Sequence, residues 1–217
     1  MYIPKSFAED DLPTLHAFIE TYPLAALVTS FPADGLLATH LPLVLDRAAG
    51  PLGTLVGHFA RANPHARQVA DGTGQSLVIF TGPEAYITPE WYPSKQESGR
   101  VVPTWNYVAV HAYGALRLRD DPLFLRGHLE SLTQRHEASR PHPWRVSDAP
   151  ADFIDQLLKA IVGVEITIER LEGKWKMSQN RSAADIDGVI HGLEASGTVQ
   201  NQAVAAIVRA RRHNERR

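Results

Sequence analysis

The sequence predicts an antiparallel β-rich domain, a barrel or an α+β fold with helices at its periphery. Three observations carry that prediction. Short apolar runs rich in β-branched and aromatic residues recur between turn signals such as Asp34-Gly35 and Gly50-Pro51. Most of these runs are joined by hairpin-length connections. The regular alternation of strands and helices that marks a parallel sheet is absent.

Taken in order, Asp10 or Asp11 caps a first helix with Pro13 in its opening turn. It runs to about Thr21 and carries Leu12, Leu15, His16, Phe18 and Ile19 on its apolar side. Leu24 to Phe31 is a strand, and Pro32-Ala33-Asp34-Gly35 is a hairpin turn. The return strand, Leu36 to Leu45, is interrupted by Pro42, which cannot donate to a ladder and so marks an edge or a bulge. A third strand covers Leu52 to Phe59, and Asn63-Pro64 starts a short helix through about Ala70. Gln75 to Thr81 is a continuous apolar strand that resumes from Glu84 to Thr88. Pro89 to Val102 reads as a loop, long enough to be functional or mobile. A strand over 104–118 follows, then a helix opened by Asp120-Asp121-Pro122 with Leu125, Leu129 and Leu132 on one face. Residues 139–150, with three prolines, form a connector to a helix over Asp152–Ile161. Val162 to Met177 is expected to hold a hairpin around Glu172-Gly173. Ser182 and Asp185 resemble a capping box for a helix to about Leu193; Gly197 stops it, and Val199 to Arg212 is the last helix. The sum is six or seven strands in a single domain over 1–217, with a helical appendage over 182–213 and a basic tail over 209–217.

With 217 residues and 44% hydrophobic residues the chain can build a full core. It has no cysteine, which excludes disulfides, thiolate catalysis and Cys-zinc sites. A net charge of -2 provides no broad basic field for nucleic acid. The exception is the end of the chain, where Arg209, Arg211, Arg212, Arg216 and Arg217 face only Glu215. That segment suits either phosphate contact or a solvated tail. No apolar run reaches the roughly 20 residues of a membrane span, and the opening residues lack a signal-peptide core, so a cytoplasmic protein is expected.

The chemistry-bearing residues fall in four clusters. Thr39-His40-Leu41 lies on the second strand. His58 to His65 covers the passage from the third strand into a helix, where Arg61 and Asn63 precede a helix N-terminus able to favour a phosphate. Arg61 equally suits a plain surface arginine. Trp91 to Lys95 pairs with the strand Pro103 to Gly114, whose mouth combines stacking residues, Trp105 and Tyr107, with the hydrogen-bonding Thr104 and Asn106. From Asn106 on, Tyr107, Ala109, His111 and Tyr113 share one face, and Val108, Val110, Ala112 and Gly114 the other. The last cluster, Lys174 to Arg181, places Lys174, Lys176 and Arg181 around a strand end. His40, His58, His65 and His111 show no metal-ligand spacing, and there is no GxSxG, P-loop or GxGxxG.

In these stretches the chain resembles the PaiB-like family of FMN-binding negative transcriptional regulators. The resemblance runs through Met1-Tyr2-Ile3-Pro4, Thr39 to Leu43, His58 to Pro64, Ile79 to Pro83 with Ala85-Tyr86-Ile87, Trp91 to Lys95, Val102 to Tyr107 with Val110-His111, and Lys174 to Asn180. It implies an antiparallel split β-barrel, similar to pyridoxamine-phosphate oxidases, with peripheral and C-terminal helices. It also implies a homodimer with FMN in the cleft between barrels. By position, Thr39, His40, Leu41, His58, Arg61 and Asn63 are expected at the phosphate and ribityl chain. Thr104, Trp105 and Asn106 are expected at the ribityl chain or ring, and Lys176, Gln179 and Asn180 close the pocket from the same or the partner chain. A repressor role would need DNA contact through the last two helices and the arginine-rich tail. Alternatives are a flavin-dependent oxidoreductase on a small molecule and a haem-binding or haem-degrading barrel, with His111, His191 or His213 as axial ligand.

Overall fold

The computed structural model describes residues 1–31, 35–70 and 75–214. Its strands are β1 (Ala8–Glu9), β2 (Leu24–Phe31), β3 (Gly35–Pro42), β4 (Val44–Asp46), β5 (Thr54–Ala60), β6 (Gln75–Ile87), β7 (Thr104–Arg119), β8 (Ile161–Thr167) and β9 (Arg170–Lys176). Its α-helices are α1 (Leu12–Thr21), α2 (Pro64–Ala70), α3 (Ser94–Ser98), α4 (Pro122–Glu137), α5 (Ala151–Lys159), α6 (Ala183–Ala195) and α7 (Val199–Asn214). The strands hydrogen-bond in the order β3-β2-β6-β7-β8-β5-β4, with β9 beside β7 and β1 beside β9. The chain divides into two compact units, one of residues 16–80 and 111–171, the other of residues 1–15, 81–110 and 172–217.

The first unit is the barrel. Phe31 pairs with Gly35 and Leu24 with Pro42, so β2 and β3 form the expected hairpin; its turn residues Pro32, Ala33 and Asp34 lie outside the described residues. Pro42 ends β3 because it brings no N–H to the ladder. After Leu43 the chain changes partner, and Val44 pairs with Val56 on β5. Burial alternates along β5, with Leu55, Gly57 and Phe59 inside. Leu27, Phe80, Leu116, Val164 and Ile166 are fully buried in this core. A smaller cluster of Leu125, Val146, Ile154 and Leu158 packs α4 and α5 together. Gly114 is required where it stands, since a Cβ there would lie 2.2 Å from the Thr167 carbonyl oxygen.

The second unit holds the start of β7, the end of β9 and the last two helices. Val108, Val110, Met177, Val189, Leu193, Val204 and Val208 are buried in it. Ser182 caps α6 by accepting the Asp185 N–H at 3.2 Å, and Gly197, at φ 72°, ends the helix connection.

Three expectations change. Among the described residues nine strands replace six or seven, because Pro42 splits one and the two-residue β1 pairs with β9. β8 and β9 are not a hairpin around Glu172-Gly173. The break falls at Ile168-Glu169, and both strands pair with β7, whose 16 residues provide room for two partners in succession. The loop over 89–102 contains a 3₁₀ turn at Pro89–Trp91 and the short α3.

Candidate functional site

β7 opens with alternating burial: Asn106, Val108 and Val110 point inward, while Trp105 stays 52% exposed with its ring 5.9 Å from that of Tyr86, edge to face. β9 ends at Lys176, and Met177 to Arg181 turn the chain into α6. Gln179 shapes that turn, its Oε1 accepting the Met177 N–H at 2.6 Å and its Nε2 donating to the Trp175 carbonyl. Ser178 takes φ 63°, a left-handed conformation that costs a non-glycine residue about 1–3 kcal/mol and tends to mark functional sites. Its hydroxyl accepts from Asn106 Nδ2 at 3.0 Å and donates to Oδ1 of the same amide at 3.2 Å.

These residues enclose a hollow of about 110 Å³ lined by Phe7, Thr104, Asn106, Lys176, Ser178, Asn180 and Arg181. Lys176 Nζ donates to Thr104 Oγ1 and to the Trp105 carbonyl, which occupies two of its three N–H groups. Burial, and then the charges of Lys174 and Arg181, hold the Lys176 ammonium below the ordinary lysine range. Lys174 is itself buried, donating to the Tyr2 carbonyl at 3.0 Å with Tyr107 beneath it. Arg181 lies 5.0 Å over the Tyr92 ring. Two cations, Lys176 and Arg181, thus line a pocket floored by hydroxyl and amide groups, with Lys174 near enough to repel the Lys176 charge, and no carboxylate is among the described residues that line it. An anion placed there would gain charge-assisted hydrogen bonds and relieve the mutual repulsion.

The barrel unit holds the other expected residues in a different chemistry. Asn63 caps α2, its Oδ1 accepting the His65 N–H at 2.9 Å and its Nδ2 donating to Thr39 Oγ1 at 3.3 Å. Thr39 Oγ1 lies 3.1 Å from His65 Nδ1, and His65 Nε2 lies 2.9 Å from Thr29 Oγ1, which meets Ser76 Oγ at 2.7 Å. A consistent reading has the Thr39 hydroxyl donating to Nδ1 and Nε2–H donating to Thr29, so His65 is neutral; burial holds its pKa down. Its ring stacks on Phe59 with centroids 5.1 Å apart.

Arg61 is committed elsewhere. Its guanidinium makes a bidentate pair with Asp120 at 2.9 and 2.6 Å and donates to the carbonyls of Lys159 and Ile161. Four of its five N–H groups are occupied, which leaves no fork for a phosphate. His58 Nδ1 faces His128 Nε2 at 3.1 Å. Leu41 is 3% exposed in the core, and His40 is exposed on β3. Among the described residues no three His, Asp or Glu side chains are grouped to hold a metal.

Thr104, Asn106, Lys176 and Asn180 therefore share one hollow, with Trp105 beside it and Gln179 supporting its wall. Sequence reading passed over Ser178 and undervalued Arg181. Arg181 carried a signal as the third cation of the Lys174–Arg181 cluster; the backbone of Ser178 carried none, because serine has no preference for positive φ.

The donor set suits the phosphate of a nucleotide cofactor, and the exposed Trp105 face suits a planar ring. A family profile described as "Putative FMN-binding domain" matches residues 1–170. The chain is 37% identical to an uncharacterised protein of Aspergillus fumigatus, with 97% of each covered. It is 34% identical to protease synthase and sporulation protein PAI 2 of Bacillus subtilis, with 89% of each covered. Among solved structures it is similar in fold to the FAD and heme binding protein of Mycobacterium smegmatis, with a TM-score of 0.59 and 18% identity over 83% of this chain and 78% of that one. It is also similar to the flavocytochrome Anf3 of Azotobacter vinelandii, with a TM-score of 0.55 and 12% identity over 80% and 72%.

Proposed function

This chain belongs to the PaiB-like FMN-binding family, and from that premise we propose that it is a homodimeric cytoplasmic flavoprotein in which Thr104, Asn106, Lys176, Ser178, Asn180 and Arg181 hold FMN beside Trp105. The observation that carries this reading is the meeting of Lys176 and Arg181 in a hollow whose described lining holds no carboxylate. Lys176 and Arg181 neutralise an anionic group of the cofactor, the Thr104 hydroxyl donates to it, and Trp105 offers a flat face. When bound, FMN supplies one- or two-electron redox chemistry at its ring. The protein's part is to bind, orient and shield it.

The size of the hollow favours a dimer. A hollow of about 110 Å³ is well below the roughly 300 Å³ of a typical small-ligand site, so most of the cofactor must find its walls elsewhere. A second copy over the exposed Trp105 and Tyr86 would provide them. No helix among the described residues is long and apolar enough to cross a membrane.

The described arginines of the tail are paired, Arg209 with Glu194, Arg211 with Glu9 and Arg212 with Asp187, so phosphate contact would first break those pairs.

The test is a fluorescence titration of FMN into flavin-free protein. Saturable binding is expected, with a sedimentation coefficient of a dimer. Lys176→Met should weaken it at least tenfold, as the loss of a charged hydrogen bond worth about 1.5–3 kcal/mol requires. Unchanged affinity in that variant places the anion elsewhere.

A further inference from the structure

The barrel unit carries a roofed hollow that the flavin reading does not use. Along α4, Glu130, Thr133, Gln134 and Glu137 stand at positions i, i+3, i+4 and i+7. They form one polar stripe, about 10 Å long at the helical rise of about 1.5 Å per residue. Such a stripe ordinarily faces water. Here the segment Pro143 to Ser147 returns across it and leaves a hollow of about 430 Å³, within the range of small-molecule sites.

The roof is fixed from both sides. The Glu137 carboxylate accepts the Trp144 N–H at 3.2 Å, and Asp148 accepts the Arg145 N–H at 2.9 Å. Val146 is buried in the cluster of Leu125, Ile154 and Leu158. Pro141 and Pro143 restrict the backbone that leads into it. The Trp144 side chain lines the hollow and is nevertheless 46% exposed. A large ring held out by a pinned backbone loses little freedom when a flat group stacks on it.

Two charges of the lining stand without partners. Both oxygens of Glu137 are engaged, one by the Trp144 N–H and one by Arg140 at 2.9 Å. Arg126, one turn before Glu130, is taken by Asp155 at 2.7 Å. Glu130 and Arg145 both line the hollow, yet among the described residues neither pairs with the other or with any other charged side chain. A single unpaired charge on an open surface is ordinary. A free carboxylate and a free guanidinium in the walls of one hollow, with an aromatic face between rigid supports, are complementary to a molecule that carries both charges. Arg145 disfavours a simple cation there, and Glu130 disfavours a simple anion.

We propose that this hollow binds a zwitterionic α-amino acid with a flat apolar side chain. Its ammonium donates to Glu130, its carboxylate accepts from the Arg145 fork, and its ring lies on Trp144. The assignment is independent of the flavin.

The probe is L-phenylalanine, titrated into the intact chain by calorimetry and by ligand-observed NMR. It is compared with phenethylamine, which lacks the carboxylate, and with 3-phenylpropionate, which lacks the ammonium. Saturable binding of L-phenylalanine is expected, at least tenfold tighter than that of either analogue. Glu130→Gln and Arg145→Gln should each weaken it at least tenfold. Both side chains are exposed and unpaired, so both variants should fold, which circular dichroism and the melting temperature establish. Absence of saturable L-phenylalanine binding, an analogue that binds as tightly, or wild-type affinity in either folded variant would each overturn the proposal.

Discussion

Arg61 and Lys176 are both basic residues beside a plausible phosphate position, and their surroundings separate them. The partner that claims Arg61, Asp120, lies 59 residues away along the chain, so the pairing was invisible in the motif around Arg61. Arg61→Ala should lower stability and leave FMN affinity as it is. The ion pair is largely exposed and contributes little, but two backbone carbonyls lose their donor, so a loss of about 1 kcal/mol is expected in urea denaturation. A tenfold loss of FMN affinity at unchanged stability would reassign Arg61 to the cofactor. Lys176 differs because burial and neighbouring cations leave its charge only partly compensated.

At the scale of elements, the stretch Trp91 to Lys95 is positioned by α6. Trp91 sits in a notch made by two helical glycines: a Cβ on Gly192 would lie 2.3 Å from the Trp91 ring, and one on Gly188 would lie 1.9 Å from the Trp91 carbonyl oxygen. Further anchoring comes from Asp185, whose carboxylate accepts the Ser94 N–H at 3.1 Å and its hydroxyl at 2.8 Å. Gly192→Ala improves helix propensity by about 1 kcal/mol, yet overpacking against a rigid ring costs about 1–3 kcal/mol. A net destabilisation is therefore expected, read as a lower urea midpoint. A midpoint raised above wild type would show that the ring moves aside freely. The consecutive strands β8 and β9, which each pair with β7, belong to the same scale. Their break at Ile168-Glu169 carries no Gly, Pro or Asn to mark it, which is why the Gly173 signal drew the turn to the wrong place.

For the whole molecule the buried histidines set an acid limit. Burial, and then the neighbouring His58, push His128 down to about 4, and burial lowers His58 and His65 as well. In the unfolded chain each would titrate near 6.5. Because the folded-state values are depressed, the neutral forms stabilise the fold fully above pH 6.5. That contribution is lost as pH falls from about 6.5 towards 4, where the unfolded chain binds protons that the folded one refuses. For His128 the loss amounts to about 3 kcal/mol. Stability measured from pH 8 to 4 should fall in this window, and His128→Gln should flatten part of the slope. A level profile across the window in the wild-type protein would mean that the pair is already charged or exposed.

Local residue order was sufficient for β2, β5, β6 and β7, the hairpin at β2–β3, the caps at Asn63 and Ser182, and the alternation along β7, because each rests on chain neighbours or on a two-residue period. Strand neighbours of β8 and β9, the commitment of Arg61 to Asp120 and the meeting of Thr104 with Lys176 were decided only by tertiary structure. Each of these joins residues more than 40 positions apart, and sequence spacing holds no record of which distant donor meets which acceptor once the core has closed.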